Sequence, residues 1–249
     1  MKMDQKVSFI TGGTKGIGAA LAIELARRGS DVAINGRVAD EQAQAVQSSI
    51  EALGRRCIIV AADVSDAAAA GRGVDSVVSL LGRLDVLVHS AGQVVRGSLL
   101  EASEETWYRT FDIHVHAVFH LCRAAVPFMR GQGEGAILLI GSAAGLRGYQ
   151  GAIAYSVAKG ALPQFARSLA RELADYNIRV NCVSPGVTRT RLQEYLTAAQ
   201  VKNNIDNRIP LHREGKAEDV AKLMGTLICN DLITGENVAI DGGMSMRMV

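Results

Sequence analysis

Proline is scarce in this sequence, and charge is balanced between the two signs. The 249 residues include only four Pro, and no Pro- or Ser-rich linker marks a domain boundary. We therefore expect one domain over 1–249, a length that single α/β domains often reach. The 27 Lys and Arg stand against 25 Asp and Glu without a basic block. This balance argues against a nucleic-acid surface and favours a small-molecule partner.

Long apolar runs and paired cysteines are also missing. No stretch approaches the ~18 apolar residues of a membrane span, and the N-terminus lacks the apolar core of a signal peptide. Cys57, Cys122, Cys182 and Cys229 are scattered without CxxC spacing, so we expect reduced, buried thiols rather than a redox or metal site. These absences predict a cytoplasmic protein with no membrane partner.

Short apolar and β-branched runs alternate with amphipathic, Ala-rich helical patterns. This alternation predicts a doubly wound α/β domain, in which helices cover both faces of a seven-stranded parallel sheet. The predicted strands lie at 7–10, 31–35, 57–61, 85–89, 136–140, 179–183 and 237–240. The predicted helices lie at 16–28, 40–53, 66–81, 104–130, 155–175 and 216–229. Segment 187–214 is polar and weakly periodic, and connections of that length usually serve a function.

A glycine-rich turn, T-G-G-T-K-G-I-G at 11–18, lies between the first predicted strand and the first predicted helix. Glycines let the backbone approach a diphosphate, and the N–H groups and positive end of the helix stabilise that anion. The alternative is a turn that is rich in Gly for packing alone. Its place at the start of a strand–helix–strand pattern favours a dinucleotide site.

The end of the second predicted strand bears on which dinucleotide binds. An NAD site has an acidic side chain there to accept from the ribose 2′-OH, whereas a 2′-phosphate needs a cation. The sequence instead reads Asn35-Gly36-Arg37, and Lys15 is a second cation just before Gly16. We therefore expect NADP(H) to be preferred. NAD(H) stays open, because both cations can also be solvated surface charges.

Tyr155 and Lys159 are one helical turn apart in Y-S-V-A-K at 155–159, so their side chains share a helix face. A free Tyr has a pKa near 10, and a nearby cation favours the phenolate. Lys159 can therefore make Tyr155 a usable acid or base near neutral pH. Ser142 follows the predicted strand at 136–140 and can hydrogen-bond a carbonyl oxygen that gains negative charge.

These motifs together resemble the short-chain dehydrogenase/reductase family over nearly the whole chain. The resemblance also rests on Asp63-Val64, S-A-G at 90–92, N-C-V-S-P-G at 181–186 and T-G-E-N-V-A-I-D-G-G at 234–243. It implies a Rossmann-type domain and hydride transfer between a nicotinamide and a carbonyl or alcohol carbon. It also implies that Tyr155 is the acid in reduction and the base in oxidation. Ser142 would then orient the substrate, and Lys159 would bind the nicotinamide ribose and lower the pKa of Tyr155.

The resemblance further implies a set of cofactor contacts. Asp63 and Val64 would meet the adenine, and the Pro185-Gly186 turn would hold the carboxamide. Segment 187–214 would be the substrate lid, and the helices at 104–130 and 155–175 would help to form a homotetramer. The cofactor-binding candidates are Thr11, Gly12, Thr14, Lys15, Gly16, Ile17, Gly18, Arg37, Asp63, Val64, Ser90, Ala91, Gly92, Tyr155, Lys159, Pro185, Gly186, Val187 and Thr190.

Two stretches depart from the family's usual pattern. His89-Ser90 replaces an Asn pair, and His114 replaces a catalytic Asn that holds a helix distortion and a water. A neutral imidazole offers one donor and one acceptor, so His114 is a fourth catalytic candidate. We expect it to add an ionisation near pH ~6.5 to the acid limb of the rate profile, unless it serves only for packing. Asp112, His116 and His120 are spaced at i, i+4 and i+8, but we expect no metal site there.

Substrate identity is poorly encoded. The candidate substrate residues mix apolar side chains with one cation, and they are Val94, Ala143, Arg147, Tyr149, Gln150 and Leu192. Arg147 meets either an anionic group or water. The resemblance is nearest to 3-oxoacyl-[acyl-carrier-protein] reductases, so a ketone or 3-oxoacyl reductase is our first expectation. The alternatives are a sugar, polyol or cyclic-alcohol dehydrogenase, and a cofactor-binding sensor or scaffold with impaired turnover.

Overall fold

The computed structural model describes residues 1–190 and 196–246. Its main sheet is built from strands that are all parallel and that run in the order third, second, first, fourth, fifth, sixth and last. These strands are β1 (Val7–Thr11), β2 (Asp31–Gly36), β3 (Cys57–Ala61), β4 (Val86–His89), β5 (Gly135–Ile140), β6 (Ile178–Pro185) and β9 (Asn237–Ile240). The predicted seven-stranded, doubly wound sheet is confirmed. A separate pair of two-residue strands consists of β7 (Thr188–Arg189) and β8 (Gly215–Lys216).

Helices cover both faces of the main sheet. They are α1 (Gly16–Arg27), α2 (Glu41–Glu51), α3 (Ala67–Leu81), α4 (Glu104–Phe111), α5 (Ala117–Gln132), α6 (Ile153–Leu173), α7 (Ala198–Asn203) and α8 (Ala217–Cys229). Phe9 belongs to the buried cluster under α3, α5 and α6, whereas Ile10 belongs to the cluster under α1, α2 and α8. Successive strand residues thus enter opposite cores, which explains why the strands are continuous apolar runs.

Two predicted segments differ from the structure. The helix predicted over 104–130 is divided by a π-helical turn at Asp112–His116, with α4 before it and α5 after it. The polar segment 187–214 contains β7, α7 and a second π-helical turn at Asn204–Arg208. The Thr197 capping box with Gln200 starts α7, and a helix of six residues is too short for apolar periodicity to reveal.

The structure bears on two expectations, that the cysteines are buried thiols and that no segment spans a membrane. Cys57, Cys122 and Cys182 are buried free thiols, as predicted, while Cys229 is half-buried. In the ranges 1–190 and 196–246, no helix combines the length and the apolar character that a membrane span requires.

Candidate active site

The carboxyl ends of β1 and β4 lie side by side, and the chain leaves these strands toward opposite edges of the sheet. In open α/β sheets this arrangement opens a crevice for a ligand. Gly12 has a φ of 63°, and a Cβ there would lie 2.8 Å from Ala91 Cα. The Ala91 N–H donates to Thr11 Oγ1 (3.3 Å). The glycine-rich turn and the S-A-G segment are therefore in direct contact, and this contact requires glycine.

The first turn of α1 is suited to an anion. In α1, which the structure describes completely, the N-cap residue Lys15 makes no side-chain cap and the first turn has no acidic residue. The backbone N–H groups of Gly16, Ile17 and Gly18 therefore face no competing carboxylate of their own turn. Thr190 lies beside this turn, since a Cβ on Gly16 would be 3.7 Å from Thr190 Cβ. The structure thus brings residues 14–18 and Thr190 together.

The end of β2 has no carboxylate that could accept a hydrogen bond from a ribose hydroxyl. The Asn35 amide is buried and donates to Val60 O (2.8 Å) and Ala62 O (3.0 Å). Asn35 therefore joins β2 to the chain at β3 and is not available to a cofactor. Arg37, by contrast, is exposed two residues later.

Asp63 and Val64 follow β3 near this point. Val64 is buried. Hydrogen bonds from the Ser65 hydroxyl and N–H lower the pKa of the Asp63 carboxyl below its ordinary value, and the charges of Arg37 and Arg109 add to this effect. Arg37 and Asp63 are thus electrostatic neighbours at the adenosine end of the predicted cofactor groove.

The opposite end of that groove contains the turn after β6. Pro185 ends β6, and a Cβ on Gly186 would lie 2.6 Å from Asp241 Cβ. The carbonyl of Val187 accepts from Gly215 N (2.9 Å), which anchors the turn to the segment that returns at β8. The predicted carboxamide-binding residues are therefore held from two sides by backbone contacts.

Lys159 and Tyr155 share one face of α6. The Lys159 ammonium lies 5.8 Å from the centroid of the Tyr155 ring. Its Nζ donates to Ile140 O (2.6 Å) at the end of β5, two residues before Ser142. The Ser142 hydroxyl oxygen accepts from Ala144 N (3.1 Å), which uses a lone pair and leaves the hydroxyl hydrogen for a carbonyl oxygen. Three of the four predicted catalytic residues therefore gather at the carboxyl end of β5.

Burial controls the charge of this site. Lys159 is 5% exposed, and desolvation lowers the pKa of its ammonium to about 8 from an ordinary value of 10.5. Below pH 8 the ammonium is charged beside the Tyr155 ring, and a cation at that place favours the phenolate.

His114 lies in the π-helical turn between α4 and α5, with 1% of its surface exposed. Its Nε2 lies 3.1 Å from Gln93 O, so Nε2 carries the hydrogen because a carbonyl only accepts. Nδ1 is therefore an acceptor, and it has no hydrogen-bond partner among residues 1–190 and 196–246. The His114 ring stands edge-on to the Tyr155 ring, with centroids 5.5 Å apart.

The expected ionisation of His114 near pH 6.5 needs correction. Burial, and secondarily the charge of Lys159, lower the pKa of His114 well below 6.5. The imidazole is therefore neutral throughout the physiological range. Gly92 makes room for it: this residue has a φ of 140°, and a Cβ there would lie 2.1 Å from His114 Cε1.

His89 has a role that sequence reasoning missed. Its Nε2 donates to Ile113 O (2.9 Å) in the π-helical turn, and its Nδ1 accepts from Thr11 Oγ1 (2.9 Å). Burial, with the charge of Lys159, lowers the pKa of His89 to about 3, so it too is neutral. The departure from the family's usual Asn signalled this residue, but only the fold reveals that it joins β1, β4 and the π-helical turn.

The predicted substrate residues separate into different environments. Ala143 is buried, Val94 is half-buried and Gln150 is exposed, while Leu192 lies outside the described residues. Arg147 Nε donates to Ser245 O (2.7 Å), a partner that the sequence did not indicate. Tyr149 contacts Arg208, which sequence reasoning also missed because it lies in a polar stretch with no motif.

The residues with metal-like spacing form a simple pair. The His116 ring nitrogen Nδ1 lies 2.9 Å from Asp112 Oδ1, and the His120 ring packs against Phe119. In the described part of the chain, no three His, Cys, Asp or Glu side chains are grouped so that they could hold a metal ion.

Comparison with known proteins identifies the family. A family model described as enoyl-(acyl carrier protein) reductase matches residues 12–245. The chain belongs to the short-chain dehydrogenase/reductase family. It is 35% identical to a 3-oxoacyl-[acyl-carrier-protein] reductase of Staphylococcus aureus, over 99% of this chain and 100% of the relative. The suspected family, and with it an oxidoreductase class, is thereby confirmed.

Solved structures of other family members agree with the fold. A short-chain dehydrogenase of Burkholderia cenocepacia in complex with NADP matches with a TM-score of 0.90 and 36% identity, over 98% of this chain and 99% of that one. The L-sorbose reductase of Gluconobacter frateurii, complexed with NADPH and L-sorbose, matches with a TM-score of 0.92 and 30% identity over 100% of both chains.

Proposed function

We propose that this short-chain dehydrogenase/reductase reduces a ketone or a 3-oxoacyl compound with NADPH. The observation that carries the proposal is the buried Lys159 ammonium on the same face of α6 as Tyr155, 5.8 Å from its ring centroid. A cation at this place favours the phenolate that remains when Tyr155 donates its proton. The similarity to the Staphylococcus aureus 3-oxoacyl-[acyl-carrier-protein] reductase supports the substrate class.

In the reductive direction, Tyr155 donates its proton to the substrate carbonyl oxygen while the Ser142 hydroxyl hydrogen-bonds the same oxygen. A nicotinamide in the groove would supply a hydride to the carbonyl carbon, and with the proton from Tyr155 this would convert C=O to CH–OH. The Lys159 ammonium stabilises the negative charge left on Tyr155. In oxidation the same groups act in reverse, with Tyr155 as the base.

His114 is the fourth residue that we place in this machinery. Its buried Nδ1 is an acceptor beside Tyr155, and a buried acceptor without a protein partner calls for a donor. The Lys159 ammonium has three N–H groups, of which Ile140 O uses one. A water that accepts from Lys159 and donates to His114 would satisfy both and return protons to the site. His89 positions His114 by holding Ile113 O.

Residues along the groove between β1 and β4 fit a dinucleotide. The N-terminus of α1 and the glycine-rich turn would hold the diphosphate, Asp63 and Val64 the adenine, Ser90 to Gly92 the central groove, and residues 185–190 the carboxamide. Arg37 would meet a 2′-phosphate, because Asn35 is committed to the backbone and no carboxylate stands at this position. The NADP and NADPH complexes of the two similar structures favour the same preference. Use of NAD(H) is the alternative.

A sugar or polyol dehydrogenase is the second candidate, and the similarity to L-sorbose reductase favours it. The test is a panel of acetoacetyl thioester, ethyl acetoacetate, cyclohexanone and L-sorbose, assayed with NADPH and with NADH by the loss of nicotinamide absorbance. We expect the highest kcat/KM with NADPH and a 3-oxo compound. Faster turnover of L-sorbose would favour the second candidate. NADPH binding without any turnover would instead indicate a sensor or scaffold.

We also propose a homotetramer. Tyr108 on α4, Phe119 on α5 and Val157 on α6 are large apolar side chains with 62%, 49% and 45% of their surface exposed. Apolar groups on neighbouring helices favour burial between subunits. Light scattering coupled to size exclusion should give four times the mass of the chain, and the mass of a monomer would contradict the proposal.

A further inference from the structure

The β5–α6 loop, residues 141–152, connects Ser142 to Tyr155, and two arginines contribute to its contacts, one within the loop and one outside it. Arg147, within the loop, donates through Nε to Ser245 O (2.7 Å) near the end of the described chain. Arg208 approaches from the 187–214 segment, with its guanidinium carbon 5.5 Å from the Tyr149 ring centroid. One positive charge from a separate segment therefore lies over an aromatic ring of this loop.

Arg208 is held in place by a buried partner. Its Nη1 donates to Asn204 Oδ1 (2.8 Å), and Asn204 is only 4% exposed. Both residues belong to the π-helical turn Asn204–Arg208, which sets their spacing. A guanidinium has five N–H donors in a planar fork, and the contact with the Tyr149 ring face uses none of them. Most of the donors therefore remain for a ligand, on a side chain that is half-buried and already oriented.

The carboxylates of Asp206 and Asp241 are engaged with other partners. Asp206 forms an ion pair with Lys202. Asp241 accepts from the backbone N–H groups of residues 243 (2.9 Å) and 245 (2.7 Å). Within residues 1–190 and 196–246, no carboxylate forms an ion pair with Arg208. The positive charge of Arg208 is thus not neutralised by the chain itself.

We infer that Arg208 selects carbonyl substrates that carry a negative group, a carboxylate or a phosphate, away from the reacting carbon. This inference rests on the proposed function, because it takes the β5–α6 loop between Ser142 and Tyr155 as the substrate wall. A planar guanidinium binds both kinds of anion in a bidentate manner, and Tyr149 supports it from one face. Arg147 adds a second charge on the same loop.

The test compares substrates that differ in charge. Wild-type protein and the Arg208→Gln variant are assayed with NADPH and acetoacetate, acetoacetyl-coenzyme A or ethyl acetoacetate, of which only the last is uncharged. We expect Arg208→Gln to lower the ratio of kcat/KM for an anionic substrate to that for the ester by about 10- to 100-fold, as the loss of a charged hydrogen-bond pair does. A fall limited to acetoacetate identifies a carboxylate, and one limited to acetoacetyl-coenzyme A identifies a phosphate.

Arg213→Gln is the matched control, since it removes one exposed guanidinium from the same segment by the same substitution. It should leave these ratios within about twofold, because solvent screens an exposed charge. Arg208→Lys keeps the charge but loses the planar fork and should recover only part of the preference. An unchanged ratio in Arg208→Gln, or an equal fall in Arg213→Gln, would overturn the inference.

Calorimetric titration of the NADP+-loaded protein, which cannot reduce a carbonyl, with acetoacetate and with acetoacetyl-coenzyme A separates this inference from the proposed function. Weaker binding of either anion by at least about tenfold in Arg208→Gln supports the inference even if no carbonyl is reduced, and in that case only the proposed function fails. Reduction of the ester together with equal binding of both anions by wild type and variant would refute the inference and leave the proposed function standing. Thermal unfolding of each variant verifies that it folds.

Discussion

At neutral pH, the desolvation of the buried Lys159 ammonium should offset the stability that its hydrogen bond to Ile140 O contributes. The pKa of the buried ammonium is about 8, against an ordinary value of 10.5 that the unfolded chain recovers. Between pH 8 and 10.5 the unfolded state therefore binds more protons, and the free energy of unfolding rises with pH. The difference between the two pKa values corresponds to about 3 kcal/mol, and this cost is fully present below the lower value.

Replacing Lys159 by Met removes the titrating group and fills similar space. The variant loses the hydrogen bond to Ile140 O, worth about 1.5–3 kcal/mol for a charged donor, and it also loses the desolvation cost. At pH 7 these two effects nearly cancel. From pH 7 to pH 9.5, the free energy of unfolding of wild type minus that of Lys159→Met should increase by about 2 kcal/mol.

The assay is urea unfolding followed by circular dichroism at both pH values, with Lys222→Met as the control. Lys222 is an exposed lysine of α8, so the difference between wild type and this control should not change with pH. Parallel pH dependence in wild type and Lys159→Met would mean that Lys159 keeps its ordinary pKa in the folded protein. The argument for a desolvated ammonium beside Tyr155 would then be refuted.

Three further variants test the proposed roles. Tyr155→Phe should lower kcat by about 10²- to 10⁴-fold, the usual contribution of a general acid, and change the Kd for NADPH by less than about threefold; retention of most of kcat would contradict its role. Arg37→Gln should raise the Kd for NADPH by about 10- to 100-fold in a fluorescence titration while the Kd for NADH stays within about twofold, and equal changes for both cofactors would refute the phosphate contact. In His114→Asn, the rate–pH curve between about pH 6 and 8 should keep the wild-type shape, because burial holds the pKa of His114 well below 6.5. An acid-limb ionisation found only in wild type would show that His114 titrates after all.

Much of the candidate site could be predicted because its signals are local. The Tyr155 and Lys159 pair needs only the helix period to share a face, and the glycine-rich turn needs only its place between a strand and a helix. The absence of an acidic residue at Asn35-Gly36-Arg37 can be read in the sequence directly. The seven parallel strands follow from apolar runs that alternate with amphipathic helices, since both faces of the sheet are buried.

Other features depend on contacts between residues far apart in sequence. Burial and the ammonium of Lys159 keep His114 neutral, and the Gln93 carbonyl decides which ring nitrogen carries the hydrogen. The π-helical turn around it is tied to the sheet through His89. Sequence reasoning could locate these histidines as departures but could not assign their protonation.

The sequence by itself determined the layered fold, the position of the cofactor turn and the spacing of the tyrosine and lysine, because each is set by short-range periodicity or by the backbone freedom of glycine. Only the tertiary structure decided that the Asn35 amide donates to backbone carbonyls, that Arg147 donates to Ser245 O, and that Arg208 lies over the Tyr149 ring. Each of these depends on how separate segments pack around the carboxyl edge of the sheet. Desolvation and hydrogen-bond partners are properties of that packing, and they determine which polar groups remain available for chemistry.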